Sequence, residues 1–473
     1  MSSTSQASQR IAALLDENSF VEIGAGVTSR STDFGLKQED TPSDGVVTGY
    51  GVIGGNLVYV YSQDSGVLGG SVGEMHARKI AHIYDLAVRM GAPVIGIIDS
   101  TGMRLQEASD ALDSLGTIYA KKVEASGVVP QISVVFGNCG GGLALIPALS
   151  DFTFMDDKKG KLFVNSPNAI KGNYEEKCDT SAASFQGAKA GLVDVAGDEG
   201  TIFAEIRNLV SMLPSNNEDR DFYEDCTDDL NRAMDNFDGA IADPALALSQ
   251  LADNGSFFET KRDFAREMVT GFIKLNGATV GVIANRTKTF DEEGKEKETF
   301  EPLLTSAGCD KAASFIKFCD AFDLPILTFT GVKGFAATCC EERNIAKKAA
   351  ALVMAFGTAT VPKVNFVTDS AFGSAYVIMN SKADITMCWP DSRIGAMEAD
   401  MAAKIIGEGK SADEISSIAD QYSDLNDASK SAARRGFVDQ IVDPADTRKY
   451  VVAAFEMLFT KREEHPAKKH SAK

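Results

Sequence analysis

The sequence of 473 residues lacks the cysteine spacing that zinc sites and disulfide frameworks require. Its eight cysteines are scattered along the chain, and no two of them form a C-x-x-C pair. This pattern argues against a metal site and predicts reduced thiols, which are typical of cytosolic proteins.

Histidine and blocks of positive charge are also scarce. Of the four histidines, two lie in the charged tail, and His76 and His82 share a predicted helix without H-E-x-x-H spacing. A mechanism that uses histidine as its base therefore has few candidates. The net charge of −20, unbroken by any basic block, argues against nucleic acid and anionic membranes as main partners.

Long apolar runs are absent as well. The longest, residues 349–361, is too short to span a bilayer and predicts a buried helix that leads into a strand. The first ten residues contain no apolar segment of the kind found in secretory signals. We expect a cytoplasmic protein, with the charged stretch 291–302 and the tail from Lys461 as solvated surface.

What the sequence does contain is an internal repeat. Residues 79–103 match 311–335, and residues 128–142 match 360–374, with each matched position 232 residues further along. A repeat this long indicates duplicated domains. The polar stretch 213–244 separates them, so we predict domains at 1–235 and 236–473.

Each half shows the same order of elements. An amphipathic helix precedes a buried apolar strand, and a turn, a second helix and a second buried strand follow. This alternation predicts an α/β fold with a parallel or mixed sheet. The match of "GYGVIG" (49–54) to a dinucleotide-binding pattern is interpreted as a hairpin turn, because a strand and not a helix follows it.

The stretch "GNCGGG" (137–142) lies between a predicted strand and a predicted helix. Its glycines suit either close packing or an oxyanion hole made of backbone N–H groups. The equivalent stretch "SAFGSA" (370–375) favours the second interpretation, because two matched turns fit two anions. Ser374 is not predicted to be a nucleophile, since no G-x-S-x-G elbow surrounds it and no histidine is evident to activate it.

A second pair of turns, 99–107 and 330–338, follows the other predicted strands. Ligands bind at the carboxyl ends of strands in open α/β sheets. Asp99 or Glu107 would serve there either as a base or as a structural group, for example as an ion-pair partner of Arg104. The residues alone leave this open.

The chain resembles the carboxyltransferase subunit of biotin-dependent acyl-CoA carboxylases and decarboxylases over about residues 10–460. The resemblance rests on ordered motifs that include "RIAALLDENSFVEIG", "SQDSGVLGGSVGEMHARKI", "DSTGMRLQE", "FGSAYVIMNSK" and "WPDSRIGAM". It implies two tandem duplicated crotonase-like (ClpP/crotonase) domains. It also implies an active site where the N-terminal domain of one subunit faces the C-terminal domain of another.

The resemblance further implies the roles of individual residues. The backbone amides of Gly141 and Gly142 would hold the thioester oxygen of an acyl-CoA. Those of Ser374 and Ala375 would hold the ureido oxygen of biotin, although the repeat register alone points to Gly373 and Ser374. The implied substrate-binding residues are Ser71, Lys79, Gly102, Met103, Gly334, Phe335, Phe372, Tyr376 and Val377.

By this resemblance the chain moves a carboxyl group between biotin and the α-carbon of a short-chain acyl-CoA through enolate intermediates. It has no biotin-acceptor "MKM" and no zinc ribbon, so biotin would arrive on a biotin carboxyl carrier protein, and no metal is expected. The other partner would be a biotin carboxylase or a membrane decarboxylase pump. Membrane association would then come only through partner subunits. A homo-oligomer is implied, at least a dimer and in full a trimer of dimers.

Two alternatives stay open at this point. The subunit would run in reverse in a sodium-pumping methylmalonyl-CoA or glutaconyl-CoA decarboxylase, or it would be an inactive scaffold paralogue. The second is kept because the family's Gly-Gly-Ala-Tyr and Asp-Val-Pro-Gly-Phe are replaced here by residues 373–376 and 331–335.

Overall fold

The computed structural model describes residues 5–171, 178–219, 223, 225–291 and 293–465. The chain divides into two compact units, Met1–Asp221 and Phe222–Lys473. The division falls inside the polar stretch 213–244, slightly before the predicted boundary at residue 235.

The first unit is built on an eight-stranded sheet. From β3 onward the neighbouring strands of the path are parallel, whereas β1, β2 and β3 pair antiparallel. The order is β1-β2-β3-β4-β5-β6-β8, and β7 pairs with the end of β5. The strands are β1 (Val21–Ile23), β2 (Val46–Ile53), β3 (Asn56–Gln63), β4 (Val94–Ser100), β5 (Gln131–Gly140), β6 (Phe152–Asp156), β7 (Lys161–Phe163) and β8 (Val195–Gly197).

The helices of this unit follow the predicted alternation with the strands. The longer helix before β4 buries Ala77, Ile80, Tyr84 and Ala87, which recur at helical spacing on one face. The helices are α1 (Gln6–Leu14), α2 (Glu74–Met90), α3 (Ala108–Ala125), α4 (Leu145–Ala148), α5 (Ala183–Ala188) and α6 (Glu199–Met212).

The second unit contains an eight-stranded sheet of the same order, β9-β10-β11-β15-β17-β18-β20, with β19 paired to the end of β17. A hairpin (β12, β13) and a two-stranded parallel pair (β14, β16) complete its strands. The strands are β9 (Phe257–Thr260), β10 (Met268–Leu275), β11 (Ala278–Asn285), β12 (Lys288–Phe290), β13 (Glu296–Thr299), β14 (Leu303–Leu304), β15 (Ile326–Val332), β16 (Gly334–Phe335), β17 (Lys363–Phe372), β18 (Ile385–Cys388), β19 (Arg393–Gly395) and β20 (Gln440–Ile441).

The second unit has a longer helical segment between β19 and β20 than the first unit has between the equivalent strands β7 and β8. The helices of the second unit are α7 (Phe237–Ala240), α8 (Pro244–Leu251), α9 (Ser306–Ala321), α10 (Cys339–Glu342), α11 (Ile345–Thr358), α12 (Gly373–Ile378), α13 (Ala399–Ile406), α14 (Ala412–Tyr422), α15 (Ser429–Arg434) and α16 (Thr447–Leu458). In the described part of the chain, no helix is both long and apolar enough to cross a membrane.

The repeat read from the sequence is confirmed in the strands. β4 and β15 begin at Val94 and Ile326, and β5 and β17 begin at Gln131 and Lys363, each pair 232 residues apart. The hairpins β2–β3 and β10–β11, which include the predicted turn at "GYGVIG", are 222 residues apart. The difference comes from a longer segment after β11, where the charged stretch predicted to be solvated surface contributes the hairpin β12–β13.

One buried arginine fixes the loops of the first unit that lie beside the strand ends. The guanidinium of Arg104, 1% exposed, donates to Asp44 Oδ1 at 2.6 Å and to Glu107 Oε1 at 2.8 Å. It also donates to the carbonyl of Ser71 at 2.9 Å. Glu107 in turn accepts the backbone N–H of Glu74 at 2.6 Å, which satisfies the first turn of α2. The loops before α2 and after β4 are therefore joined through one cation.

We predict that Arg104→Met lowers the free energy of unfolding of the first unit by about 3–5 kcal/mol, because Asp44 and Glu107 would stay buried without their cation. Burial already raises the pKa of Asp44 with the arginine present. Urea unfolding at pH 7 measures the loss. The control is Arg78→Met, which removes an ion pair of Glu74 from a side chain that is 64% exposed and should cost less than about 1 kcal/mol. Equal losses for the two variants would contradict the structural role given to Arg104.

Candidate functional site

The residues that follow β5 and β17 form two equivalent turns, at Gly141 and Gly373. Both glycines have left-handed backbones, with φ of +62° and +60°. A helical turn begins directly at each of them. The first N–H groups of a helical turn have no acceptor within the helix, and so they can donate to an external oxygen. We call the turn at 140–145 the first turn and the turn at 372–377 the second turn.

The pattern of exposure is the same in the two turns. Gly142 and its equivalent Ser374 are exposed. The next residues, Leu143 and Ala375, are each 1% exposed and anchor the helix in the core. Two residues further on, Leu145 and Val377 are exposed again at 44% and 56%. Gly142 and Ser374 are therefore open to a ligand, and Ser374 belongs to both candidate pairs of the second turn, Gly373 with Ser374 and Ser374 with Ala375.

Space beside Gly142 is limited. The hydroxyl of Tyr119 donates to the carbonyl of Gly142 at 2.5 Å. A Cβ at Gly142 would lie 2.9 Å from Leu115 Cδ2 and 3.0 Å from Tyr119 Oη. The nearby thiol of Cys139 is fully buried, and burial raises its pKa well above the usual range, so it is not a thiolate nucleophile.

The predicted turns at Gly102–Met103 and Gly334–Phe335 occupy equivalent positions. Met103 pairs with Val72 in a parallel bridge, and Gly334–Phe335 forms β16, which pairs with β14. In both units the residue after the turn donates its N–H across this pair, from Arg104 to Val72 at 2.8 Å and from Ala336 to Leu304 at 2.9 Å. Ser71 directly precedes Val72, and its Oγ accepts a hydrogen bond from Arg104 Nε at 3.3 Å.

Lys79 and Lys311 lie at equivalent positions, with side chains directed into the protein. Lys79 Nζ donates to the carbonyls of Ser43 at 3.0 Å and Val46 at 2.5 Å. Lys311 Nζ donates to two backbone carbonyls at 2.9 Å each. Burial lowers the pKa of Lys79 and of Lys311 to about 8. The ammonium of Lys79 thus holds a loop, and it does not extend to the first turn.

Around the second turn the predicted residues differ in exposure. Phe372 is 5% exposed and Tyr376 is half-buried, whereas Val377 is open to solvent. Burial raises the pKa of Tyr376 to about 12, so its hydroxyl stays protonated at neutral pH. Tyr376 and Val377 therefore offer aromatic and apolar surface next to Ser374, whereas Phe372 is buried behind the turn.

The side chains considered as bases are engaged in the structure. The imidazole of His76 is fully buried between Asp44 and Gln63, and desolvation lowers its pKa to about 3. Glu107 is paired with Arg104, and Asp99 accepts from Arg10 at 3.2 Å. The structural role left open for these two carboxylates therefore has direct support. In the described ranges, no group of three or more His, Cys, Asp or Glu residues is placed to hold a metal ion.

Sequence reasoning missed two exchanges between the halves. Asp99 lies where a side chain on Gly137 would be, whereas the equivalent positions in the second unit are Gly331 and Asp369. In each unit one carboxylate thus lies near the end of the central strand pair, on β4 in the first unit and on β17 in the second. This exchange could have been found in the sequence by aligning the two repeats and searching for paired positions at which an aspartate and a glycine are swapped.

The second exchange concerns an aromatic ring and a glycine on the two paired strands next to each turn. Beneath the first turn, the ring of Phe163 from β7 packs on Gly140, and a Cβ there would lie 2.7 Å from Phe163 Cζ. In the second unit the ring is Phe372 from β17, and the glycine is Gly395 from β19. The second exchange therefore leaves a different environment beneath each turn.

Both long strands are also irregular at the same place. The register between β4 and β5 shifts between Ile98 and Ser100, and that between β15 and β17 shifts between Thr330 and Val332. Bulges of this kind re-aim the chain and are over-represented next to active sites. Here they immediately precede the two turns.

Comparison with known proteins identifies the family of the chain. The family model of the carboxyl transferase domain matches residues 4–472. The propionyl-CoA carboxylase beta chain of Roseobacter denitrificans is 40% identical, over 98% of this chain and 92% of its own length. The methylmalonyl-CoA decarboxylase subunit alpha of Propionigenium modestum is 39% identical with the same coverage.

Among solved structures, the chain is similar to the transcarboxylase 12S hexamer core with methylmalonyl-coenzyme A and methylmalonic acid bound. The TM-score is 0.88 at 33% identity, and the match covers 98% of this chain and 92% of that one. The match extends over both duplicated units, which confirms the α/β fold expected from the repeat and the crotonase-like domains implied by the resemblance. The chain belongs to the carboxyl transferase domain family.

Proposed function

We propose that the chain moves a carboxyl group between biotin, carried by a partner protein, and the α-carbon of a short-chain acyl-CoA. The observation that carries the proposal is the pair of equivalent turns, each with a left-handed glycine and open backbone N–H groups at the start of a helical turn. The chain's membership of the carboxyl transferase domain family supplies the reaction class. The two turns supply one anion site for each of the two substrates.

The first turn is proposed to hold the thioester oxygen through the amides of Gly141 and Gly142. Loss of the α-proton from the acyl-CoA places negative charge on that oxygen, and N–H donors fixed by the backbone stabilise it without reorganisation. Tyr119 holds the same turn, because its hydroxyl donates to the Gly142 carbonyl in the peptide that follows the two proposed donors. Gly102, Met103 and Ser71 are proposed to line the acyl-CoA side.

The second turn is proposed to hold the ureido oxygen of biotin through Ser374 with Ala375, or with Gly373 as the repeat register indicates. The residues present fit such a group, because the exposed Ser374 at the start of the helical turn is flanked by the half-buried Tyr376 and the exposed Val377. When bound, biotin supplies the transferable carboxyl group and, once decarboxylated, a base. Gly334 and Phe335 are proposed to line the same side.

No side-chain base is required in this account. His76 is buried and neutral, and the carboxylates Asp99 and Glu107 are paired with arginines. The chain's own residues bind, orient and stabilise the charge that develops on the two substrates. The same groups serve either direction, so transfer from methylmalonyl-CoA to biotin is a second candidate, favoured by the decarboxylase subunit relative.

The assembly is proposed to follow the family. We expect a homo-oligomer, at least a dimer and in full a trimer of dimers. A biotin carboxyl carrier protein is the proposed partner, together with a biotin carboxylase or a membrane decarboxylase pump. A cytoplasmic location, with membrane association only through such a pump, is part of the proposal.

The experiment that tests the proposed function is transcarboxylation from malonyl-, methylmalonyl- and glutaconyl-CoA to free biotin. We expect turnover with at least one of them, detected as loss of the carboxylated thioester that depends on added biotin. No turnover with any of the three, alongside intact binding of coenzyme A thioesters, would favour the inactive scaffold.

The first turn is tested by Gly142→Val. The added side chain would press on Leu115 and Tyr119 and displace the N–H donors, so kcat should fall by about 10²–10³ while the fold is retained. Transcarboxylation rates and thermal unfolding measure the two effects. Gly116→Ala is the matched control, since an added Cβ at this glycine in α3 has no heavy atom within 4 Å. Retained activity in Gly142→Val would remove this residue from the oxyanion site.

The second turn is tested by comparing Ser374→Ala with Ser374→Pro. Alanine keeps the backbone N–H and should leave the rate within about twofold of the original. Proline removes that donor and should cost about 10²–10³ in kcat. Circular dichroism and thermal unfolding check that both variants fold. A loss in Ser374→Ala as large as that in Ser374→Pro would point to the hydroxyl and contradict the backbone role.

A further inference from the structure

Asp427 is a buried carboxylic acid that the reaction described above does not use. It ends a single π-helical turn, Ser423–Asp427, between α14 and α15. The residue is only 2% exposed, and its Oδ1 is buried with no hydrogen-bond donor within reach among the described residues. An unpaired buried oxygen of this kind is costly, and π-helical turns are frequent at functional sites.

The carboxyl of Asp427 packs on β19 at Gly395. A Cβ at Gly395 would overlap Asp427 Oδ1, so the missing side chain makes room for the acid. At the equivalent position in the first unit, Phe163 fills the space beneath the turn with its ring. The two turns are therefore supported by different chemistry, an aromatic ring beneath the first and a carboxyl next to the second.

Gly395 connects the acid to the second turn in two ways. It pairs directly with Phe372, the residue that precedes Gly373, across about one strand spacing of 4.8 Å. The next residue, Ala396, has its carbonyl oxygen 3.3 Å from the place where a Cβ on Gly373 would be. A displacement of Gly395 and Ala396 would therefore move the backbone that presents the N–H donors.

The charged groups around Asp427 act in opposite directions. Arg393 on β19 lowers the pKa of the acid, and Glu398, before α13, raises it. Glu398 is itself paired with Lys333 at 2.8 Å, and Arg435, after α15, donates to the side chain of Asn426 at 2.9 Å. Desolvation by burial is larger than either charge effect, so the pKa of Asp427 is raised to about 6.

We propose that Asp427 is a positioning residue of the second turn, which it supports in its protonated form by packing against Gly395, the residue that leads into Ala396. Ionisation places a negative charge next to the turn that receives the anionic oxygen, and so weakens that turn for its ligand. The inference rests on the proposed function, because it assigns the second turn to biotin.

The sign of the pH effect on stability follows from the direction of the shift. Unfolded Asp427 loses its proton near pH 4, whereas the folded residue keeps it until about pH 6. Between these pH values only the unfolded form is ionised, so folding weakens as the pH rises. The loss is about 100-fold in the folding equilibrium constant and is complete above the folded pKa. Asp427→Asn keeps the shape without the charge and should remove this loss.

The test measures kcat/KM for free biotin and for the acyl-CoA between pH 5.5 and 8.5, in the original protein and in Asp427→Asn. At the lowest pH, kcat/KM for biotin should be the same in the original protein and the variant. At the highest pH, the value for the original protein should be about tenfold lower than that of the variant. The KM for the acyl-CoA should be the same in both. A merely structural role would change both substrates alike, without this pH dependence.

Asp424→Asn is the matched control, because Asp424 is an exposed acid on the same π-helical turn. The pH profiles of kcat/KM for biotin and for the acyl-CoA should be the same in Asp424→Asn as in the original protein. Superimposed profiles of the original protein and Asp427→Asn would overturn the assignment of Asp427 and leave the proposed function intact. Absence of any transcarboxylation by the original protein would instead overturn the proposed function, and this inference with it.

Discussion

The left-handed backbone at Gly141 and Gly373 is the constraint on which the rest of the site depends. At each glycine a ten-residue parallel strand ends and a helical turn begins without an intervening loop. A residue with a side chain would cost about 1–2 kcal/mol in this conformation, so the abrupt change of direction requires glycine. The change of direction leaves the first N–H groups of the helical turn unpaired at the carboxyl ends of the strands.

In the proposed mechanism those N–H groups stabilise the developing charge, so no side chain has to act as a base. The polar side chains nearby instead stabilise the framework, as Arg104 does for the loops beside the first turn and Lys79 for the loop before β2. Duplication then yields two such turns in one chain. Phe163 lies on the short strand β7 in the first unit, whereas Phe372 lies on the long strand β17 in the second, so the surroundings of the two turns differ. The proposed function uses this difference to assign a thioester to one turn and a ureido group to the other.

Much of the fold was predictable because buried parallel strands are continuous apolar runs between proline and glycine. The strands β4 and β15, and β5 and β17, begin at the equivalent positions that the repeat indicated. The hairpin at "GYGVIG" followed from the strand pattern on both of its sides. The candidate turns were predictable for the same reason, since a Gly-rich stretch after a buried strand has few structural uses.

The rest depends on residues that meet only in three dimensions. Asp44 and Arg104 are 60 residues apart, and neither stands out in a sequence with many charged residues. Asp427 belongs to a helical segment outside the stretches that the repeat matched, so the repeat gave no register for it. The hairpin β12–β13 was expected to be solvated surface because charge dominates its composition, whereas its paired backbone was not evident.

The most direct measurement is a crystal structure of the protein with a non-hydrolysable acyl-CoA analogue and biotin bound together. The account predicts the oxygen of the acyl group at about 2.7–3.1 Å from the backbone nitrogens of Gly141 and Gly142. It predicts the ureido oxygen at a similar distance from the nitrogen of Ser374. Both oxygens held by the same turn, or either one contacted only by side chains, would contradict the central claim that the duplicated turns serve two different anions.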